Sequence, residues 1–392
     1  MSIDNLRTDK MRAVMAVSGD NVAIGIPWEE NGTFGIDTAR LGAGVVNILT
    51  IDEQTQISRQ TTILGDQNKG LSLFGTSIAM DDRFLVVGAP GEDVNIELNP
   101  FYGDGAVYIF THNFTDQTWQ KVAKLSVTEL GTAASFGAVV KLSGNYLLVS
   151  APGAYADGDS THVVGQILLF KYQNKEWQLI QKIRPPVESG VQYFGQKLAF
   201  ANGLAVVSVK EKETREDELY CYNLDQGKDS LVFQQIVDLD YTDVKSPVFS
   251  KYALGIKDST LTVIHPSDTP RKSVYSFNQN KGWTLTNEQT VDRQFASSRF
   301  RNNLVLEKNR SLLGREFISS NTPFLYLERD GQQQPYTSKE WFVPFAVDSK
   351  RYLIHDLAFY QDEYLLLIAE PTFKKQENKQ ANWLQIHRIE KE

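Results

Sequence analysis

An aromatic-rich, strand-like run returns along the whole chain, as GVVNIL (44–49), GAVYIF (105–110), GQILLF (165–170), DELYCY (217–222), KSVYSF (272–277), TPFLYL (322–327) and ANWLQIH (381–387). Recurrence of this kind constrains a fold more than any composition does. Each copy must form the same supersecondary unit and bury its apolar face against the next one. Seven copies in 392 residues give about 56 residues per unit. Two units match part for part, FGTSIAMDDRFLVVGAPGEDVNIELNPFYGDGAVYIFTH (74–112) and FGAVVKLSGNYLLVSAPGAYADGDSTHVVGQILLFKY (136–172). Both run from Phe-Gly through an alternating stretch and a tight polar turn to an aliphatic stretch ending in Ala-Pro, then a long loop and the aromatic run. The Phe-Gly pairs at 74, 136 and 194 lie 62 and then 58 residues apart.

A fourth stretch opened by Trp follows several aromatic runs: TWQKVAKLSV (118–127), EWQLIQKIRP (176–185) and GWTLTNEQTV (282–291), with Trp341 in a matching place in the sixth unit. Four short stretches of period-2 alternation, separated by turns rich in Gly, Asn and Asp, read as strands. The turns SGDN, MDDR, SGNY and ANGL suit tight hairpins, where Asn and Gly take positive φ at little cost. No stretch of helical period lies between the strands, which argues against a parallel α/β fold. The expectation is an all-β chain, a seven-bladed β-propeller of four-stranded antiparallel blades forming one domain over residues 1–392. The blades fall near 10–64, 74–128, 136–186, 194–240, 249–292, 295–347 and 352–392. The last blade ends after its third strand, so residues 1–9 are expected to supply the missing outer strand and close the ring, because a bare edge invites aggregation. The repeated Trp119, Trp177 and Trp283 read as outer-strand packing residues.

Composition then removes function classes. The apolar fraction of 41% supports a real core, and a net charge of −8 argues against nucleic acid, whose binding rests on clustered Lys and Arg. Cys221 is the one cysteine, so an intrachain disulfide is impossible, and its alternation with tyrosines in ELYCYN marks it as a small strand residue of the core. No apolar run is long enough for a membrane span or shaped like a leader. The expected setting is cytoplasmic, or exported without a cleaved N-terminal signal, and the expected fold unit is monomeric. The histidines His112, His162, His265, His355 and His387 are dispersed, and no metalloprotease, nucleophile-elbow or phosphate-loop motif occurs. The chain is therefore read as a non-enzyme that needs no cofactor, with a propeller enzyme whose site is assembled across blades around the channel as the lesser alternative.

At Phe74-Gly75 with Gly88-Ala89-Pro90, and nearly so at Phe136-Gly137 with Ser150-Ala151-Pro152, the sequence resembles the FG-GAP repeat family of the integrin α-subunit propeller. Gly25-Ile26-Pro27 and Phe194-Gly195 are weaker echoes, Ala369-Glu370-Pro371 a faint one, and the later units keep the strand pattern alone. The resemblance implies a ligand face built from the loops between second and third strands. It also implies calcium in the hairpin between first and second strands. Here those hairpins (SGDN, MDDR, SGNY, ANGL, KDST, YQDE) are too short to supply six to eight oxygens, so no metal site is expected.

The loops that would form the ligand face are longest in the first three units, at 27–44, 91–105 and 153–165. The acids of 91–104 (Glu92, Asp93, Glu97, Asp104) read as a solvated surface, since they lack the alternate spacing of a calcium loop. The candidate partner-binding residues are Trp28, Phe34, Phe101, Tyr102, Tyr155, Asp157 and Asp159, because aromatics dominate interface hot spots. Against this stands the reading that the rings fold back onto their own loops. Two partner classes remain open. One is a protein, the other a glycan, whose rings stack on Trp and Tyr. The absence of a shared loop motif among the blades favours the protein.

Overall fold

Period-2 alternation becomes strands throughout the computed structural model, and the register follows the turns. The structure describes residues 13–27, 42–53, 57–66, 71–93, 103–113, 115–131, 133–156, 159–186, 190–211, 217–239, 253–265, 271–290, 304–307, 310–314, 317–319, 323–329, 332–337, 351–360, 364–371 and 384–388. The chain divides into two compact units, Met1–Leu239 and Asp240–Glu392. Among the described residues the regular structure is antiparallel β, apart from one turn of 3-10 helix at Thr128–Leu130.

In the first unit, β1 (Val14–Ser18), β2 (Asn21–Ile26), β3 (Val45–Ile51) and β4 (Ile57–Ile63) form one sheet in sequence order. The next sheet repeats the plan with β5 (Ser77–Met80), β6 (Phe84–Ala89), β7 (Ala106–Asn113) and β8 (Thr118–Leu125). The third contains β9 (Val140–Ser143), β10 (Tyr146–Ala151), β13 (Gln166–Gln173) and β14 (Glu176–Ile183), and a separate hairpin of β11 (Tyr155–Ala156) and β12 (Asp159–Val163) interrupts it. The fourth has five strands. Both β15 (Val191–Gln192) and β16 (Leu198–Ala201) pair with β17 (Leu204–Glu211), followed by β18 (Asp217–Asp225) and β19 (Ser230–Asp238).

The first hairpins turn as their residues require. Gly19, Gly144, Asn202 and Gly203 take positive φ. At MDDR the Asp81 carboxylate instead accepts hydrogen bonds from the Arg83 and Phe84 amides, at 2.9 and 2.8 Å. These turns touch one another from sheet to sheet. Ser18 donates to Asp82 (2.8 Å), Arg83 to Asn145 (2.9 Å) and to the Gly144 carbonyl (2.8 Å), and the Asn202 amide to Ser143 (3.2 Å). In the fourth sheet, Asp229 accepts from Tyr146 (2.6 Å) and Lys171 (2.7 Å), and the Lys171 bond holds its carboxyl below the usual range.

The Phe-Gly and Gly-Ala-Pro motifs explain themselves once the sheets are seen together. Phe74, Phe136 and Phe194 are fully buried, and each ring packs edge-on or tilted against the third strand of its own sheet: Tyr108 and Phe110, Phe170, and Tyr220 with Tyr222. Their amides reach back to the preceding sheet. They donate to the carbonyls of Ala43 (3.2 Å), Asp104 (3.0 Å) and Val164 (2.8 Å). Gly105, the first residue of GAVYIF, has φ +90° and bridges in parallel to Phe136, and a Cβ there would overlap the Phe136 carbonyl oxygen. Gly88 of Gly-Ala-Pro faces Gly137 as closely, so a side chain at either place would force the sheets apart. The repeat motif is thus a clasp between consecutive sheets. Its Phe fills one core, and its backbone locks onto the sheet before.

The second unit opens with β20 (Ala253–Lys257), β21 (Thr260–His265), β22 (Arg271–Asn278) and β23 (Gly282–Thr290) in sequence order. In β22 the bulge lies opposite Val274/Tyr275, and Phe277 donates to the Ser259 carbonyl (2.8 Å) as Leu224 does to Gly203 (2.7 Å). The run KSVYSF therefore sits two residues away from its sequence alignment with DELYCY. The sixth sheet is β24 (Leu304–Glu307), β25 (Arg310–Gly314), β27 (Pro323–Arg329) and β28 (Gln332–Thr337). The seventh takes its first strand from inside that stretch: β26 (Phe317–Ser319) pairs with β29 (Arg351–Tyr360), then β30 (Tyr364–Pro371) and β31 (Leu384–Arg388). Residues 1–9 and Trp341 lie outside the described residues.

The outer-strand tryptophans pack as expected. Trp177 stacks with Tyr172 and reaches Phe84 of the second sheet, and Trp283 is buried against Phe277. Cys221 is buried, and burial pushes its thiol up to about 12, which leaves it inert at neutral pH.

Candidate functional site

The three long loops leave the first unit side by side because short linkers join their stems. The Leu73 amide donates to the Gly42 carbonyl (2.8 Å) at the end of the first loop, and the Ser72 hydroxyl to Ala43 (2.7 Å). The other side of the same linker receives the second loop, where the Gly91 amide donates to Ser72 (3.1 Å). Residues 133–136 repeat the device. The Ser135 amide donates to Gly103 (2.9 Å) where the second loop ends, and the Gly153 amide donates to Ala134 (3.0 Å) where the third begins. Asp104 adds its carboxylate, which accepts from the Ala133 amide at 3.1 Å.

The stems of the second and third loops are also closed on themselves. In the second loop the Gly105 amide donates to the Glu92 carbonyl (3.0 Å), and a Cβ on Gly103 would overlap that same oxygen. In the third loop the Gly165 amide donates to the equivalent Ala154 carbonyl (2.9 Å).

Of the acids expected to be solvated, Asp93 is exposed and Glu97 lies outside the described residues, but Glu92 is not solvated. Its side chain is 2% exposed, and both carboxylate oxygens accept from the Tyr108 hydroxyl (2.8 and 2.6 Å) while the Lys124 ammonium pairs with it. Burial first, and the Glu92 bond second, push the Tyr108 hydroxyl far above its ordinary range. The Tyr108 oxygen also accepts from the Asp66 amide (3.2 Å), and the Asp66 carboxylate pairs with Lys121. Lys121 and Lys124 both lie over the Tyr108 ring, at 5.9 and 5.3 Å from its centroid. A charge excluded from the core by ordinary solvation is held there by a cation and a phenol, and the cation lies over the face of the phenol's ring. Its sequence signal is slight: a Glu directly after Gly91, where the next unit has Ala154, and two lysines at 121 and 124 on an edge strand.

Of the candidate binding residues, Trp28, Phe34, Phe101, Tyr102 and Asp157 lie outside the described residues. Tyr155 is half-buried in β11 and its ring lies against Gly131, where a Cβ would come within 2.7 Å of Cδ2. It packs on the linker that precedes its own sheet. Asp159 opens β12. Among the described residues no group of three or more His, Cys, Asp or Glu side chains is placed to hold a metal ion, and no helix is long and apolar enough to cross a membrane.

No protein-family model matches the chain. None of the curated proteins matches it either. Among solved structures it is similar to a proposed 6-phosphogluconolactonase from Bacteroides uniformis, at 10% identity over 81% of this chain and 80% of that one, with a TM-score of 0.50. It is also similar to a functionally unknown protein from Desulfotomaculum acetoxidans, at 11% identity over 83% and 85% of the two chains and a TM-score of 0.46. Sqt1 of Saccharomyces cerevisiae gives 8% identity over 92% and 94%, with a TM-score of 0.43. At such identity the first likeness speaks to the fold alone, and the other two are too distant to carry an argument.

Proposed function

We propose that the chain is a seven-bladed, closed β-propeller of the FG-GAP kind and acts as a non-catalytic interaction module. It binds a protein partner through the loops 27–44, 91–105 and 153–165. One observation carries the reading. The ends of these three loops are joined side by side through the linkers 72–74 and 133–136, which supports a shared binding sector for the residues they carry. The chemistry available there suits recognition more than catalysis. The buried carboxylate of Glu92 is neutralised by Lys124 and held by Tyr108, which leaves it without a free proton-transfer role. Aromatic side chains on rigidly held stems are what interface hot spots are made of.

The test uses a partner captured with the parent protein and then titrated against variants. Trp28→Ala and Tyr102→Ala are each expected to weaken binding roughly thirtyfold, the equivalent of about 2 kcal/mol, with melting unchanged. Lys375→Ala serves as the control and is expected to change neither. Loss of stability in the aromatic variants would contradict the reading, since the rings would then be packing residues. A glycan array showing saccharide binding that the same variants abolish would replace the protein partner with a sugar.

A further inference from the structure

The stems of the second and third loops make a natural comparison. Gly91, Glu92 and Gly105 correspond to Gly153, Ala154 and Gly165, and the closing backbone bond is the same in both, at 3.0 and 2.9 Å. In the third sheet that bond stands beside an alanine. The residue matching Lys124 is Lys182, which pairs with the exposed Glu129 at 3.1 Å instead of turning inward. Stem closure therefore needs no buried charge. The second loop has one all the same, assembled from four places: Asp66 after β4, Glu92 on the stem, Tyr108 on β7, and Lys121 with Lys124 on β8.

Such a network differs in kind from apolar packing. A buried pair is close to neutral when formed whole. Removal of one partner leaves an uncompensated charge and is strongly unfavourable. Lys124 stands at the rim, 27% exposed, while Glu92 is 2% exposed. The half of the pair that solvent, a modifying reagent or an anionic group can reach is the lysine. The half that suffers from its loss lies on the loop stem.

We propose that Glu92, Tyr108 and Lys124 form a charge-operated latch on the stem of the 91–105 loop. With the Lys124 charge in place, the Glu92 backbone is fixed and its carbonyl holds Gly105. With that charge withdrawn, the carboxylate seeks water and the stem opens locally, while the sheet stays folded. Glu92 is thus a positioning residue for the loop. Its relevance to partner binding rests on the function proposed above, but the latch itself needs no partner to be tested.

The experiment is amide hydrogen exchange resolved to single residues, on the full chain at neutral pH, with Gly105 read against Val86 of the same sheet. Lys124→Met is expected to speed exchange at Gly105 roughly a hundredfold while Val86 changes by less than about twofold. Glu92→Gln leaves a cation that can reach solvent, and is expected to give about tenfold. The double variant Glu92→Gln/Lys124→Met removes both charges and is expected to return Gly105 to within about threefold of the parent. The Gly165 amide in the third sheet is expected to stay at parent rate in all three. The latch is overturned if Lys124→Met leaves Gly105 unchanged, if Val86 accelerates with it, or if the double variant is as open as Lys124→Met. Should Lys124→Met fail to fold, Glu92→Gln and the double variant still decide between coupling and its absence. Weak partner binding with an intact exchange pattern would count against the proposed function and leave the latch standing.

Discussion

The second and fifth sheets share one plan of four antiparallel strands in sequence order, yet they are held in different ways. In the second sheet every residue of β6 is buried, and so are the first five of β7. In the fifth, β21 is buried from Leu261 to Ile264 much as β6 is, but most of β22, the counterpart of β7, is half-exposed. The second sheet sits between two clasps, Phe74 on the sheet before it and Gly105 with Gly88 against the sheet after. Phe-Gly and Gly-Ala-Pro join consecutive sheets through backbone approaches that only glycine permits. Where the motif fades, the strand plan survives.

The largest loss is expected at the joint itself. Gly105→Ala adds a Cβ that meets the Phe136 carbonyl at φ +90°, and neither backbone can retreat without opening two cores. It is expected to cost more than about 3 kcal/mol and to lower the melting of residues 1–239 by about 10 °C. Gly19→Ala sharpens the point. Its φ is also positive, at +54°, but nothing lies within 4 Å, so strain alone should cost about 1 kcal/mol. Equal losses in the two variants, read by thermal unfolding, would show that conformational strain and not the clasp explains the glycines.

A smaller effect appears in alkali. Burial and the Glu92 bond raise the folded Tyr108 hydroxyl above the ordinary value near 10, so the phenol stays protonated in the fold after it ionises in the unfolded chain. Its contribution is complete below about pH 10 and is lost as pH rises beyond that, at about 1.4 kcal/mol per pH unit. Tyr108→Phe should remove one proton's worth of this slope between about pH 10 and 11, measured by urea midpoints. Tyr146 and Cys221, each pushed up to about 12 chiefly by burial, keep their own share in both proteins. An unchanged slope would mean that Tyr108 ionises freely in the fold.

The smallest effect belongs to the belt of hairpin turns. Arg83 makes two good bonds to the third sheet, but its side chain is 46% exposed. Arg83→Ala should cost less than about 1 kcal/mol in thermal unfolding, because solvent screens and competes with such contacts. A loss as large as that of Gly105→Ala would move the joint from the motif to the turns.

What could be read in the chain beforehand follows from these forces. The sheets were legible because alternation and turn residues are local, and Phe74, Phe136 and Phe194 marked the repeat without revealing that they hold the preceding sheet. The register of β22 was not legible. A slip of two residues keeps every side chain on its own face, so KSVYSF aligns with DELYCY equally well in either position. The passage of β26 into the last sheet was hidden for another reason, since three residues carry no periodicity. Glu92 misled most. A glutamate in a loop full of acids reads as solvated, and its cation Lys124 is 32 residues away on an outer strand. Tyr155 was legible as an aromatic of a polar loop, but not the contact of its half-buried ring with Gly131, which lies 24 residues earlier on the linker before its sheet.

The clasp is tested most directly by residue-resolved hydrogen exchange at the Phe74, Phe136 and Phe194 amides, which donate to Ala43, Asp104 and Val164 of the sheets before them. If the motif joins the sheets, these three amides exchange as slowly as Val86 and Val149 in the strand cores, and Gly105→Ala accelerates Phe136 before Phe194. Exchange at all three amides as fast as in an unpaired turn, with the strand cores still protected, would mean that the sheets open independently and would contradict the account.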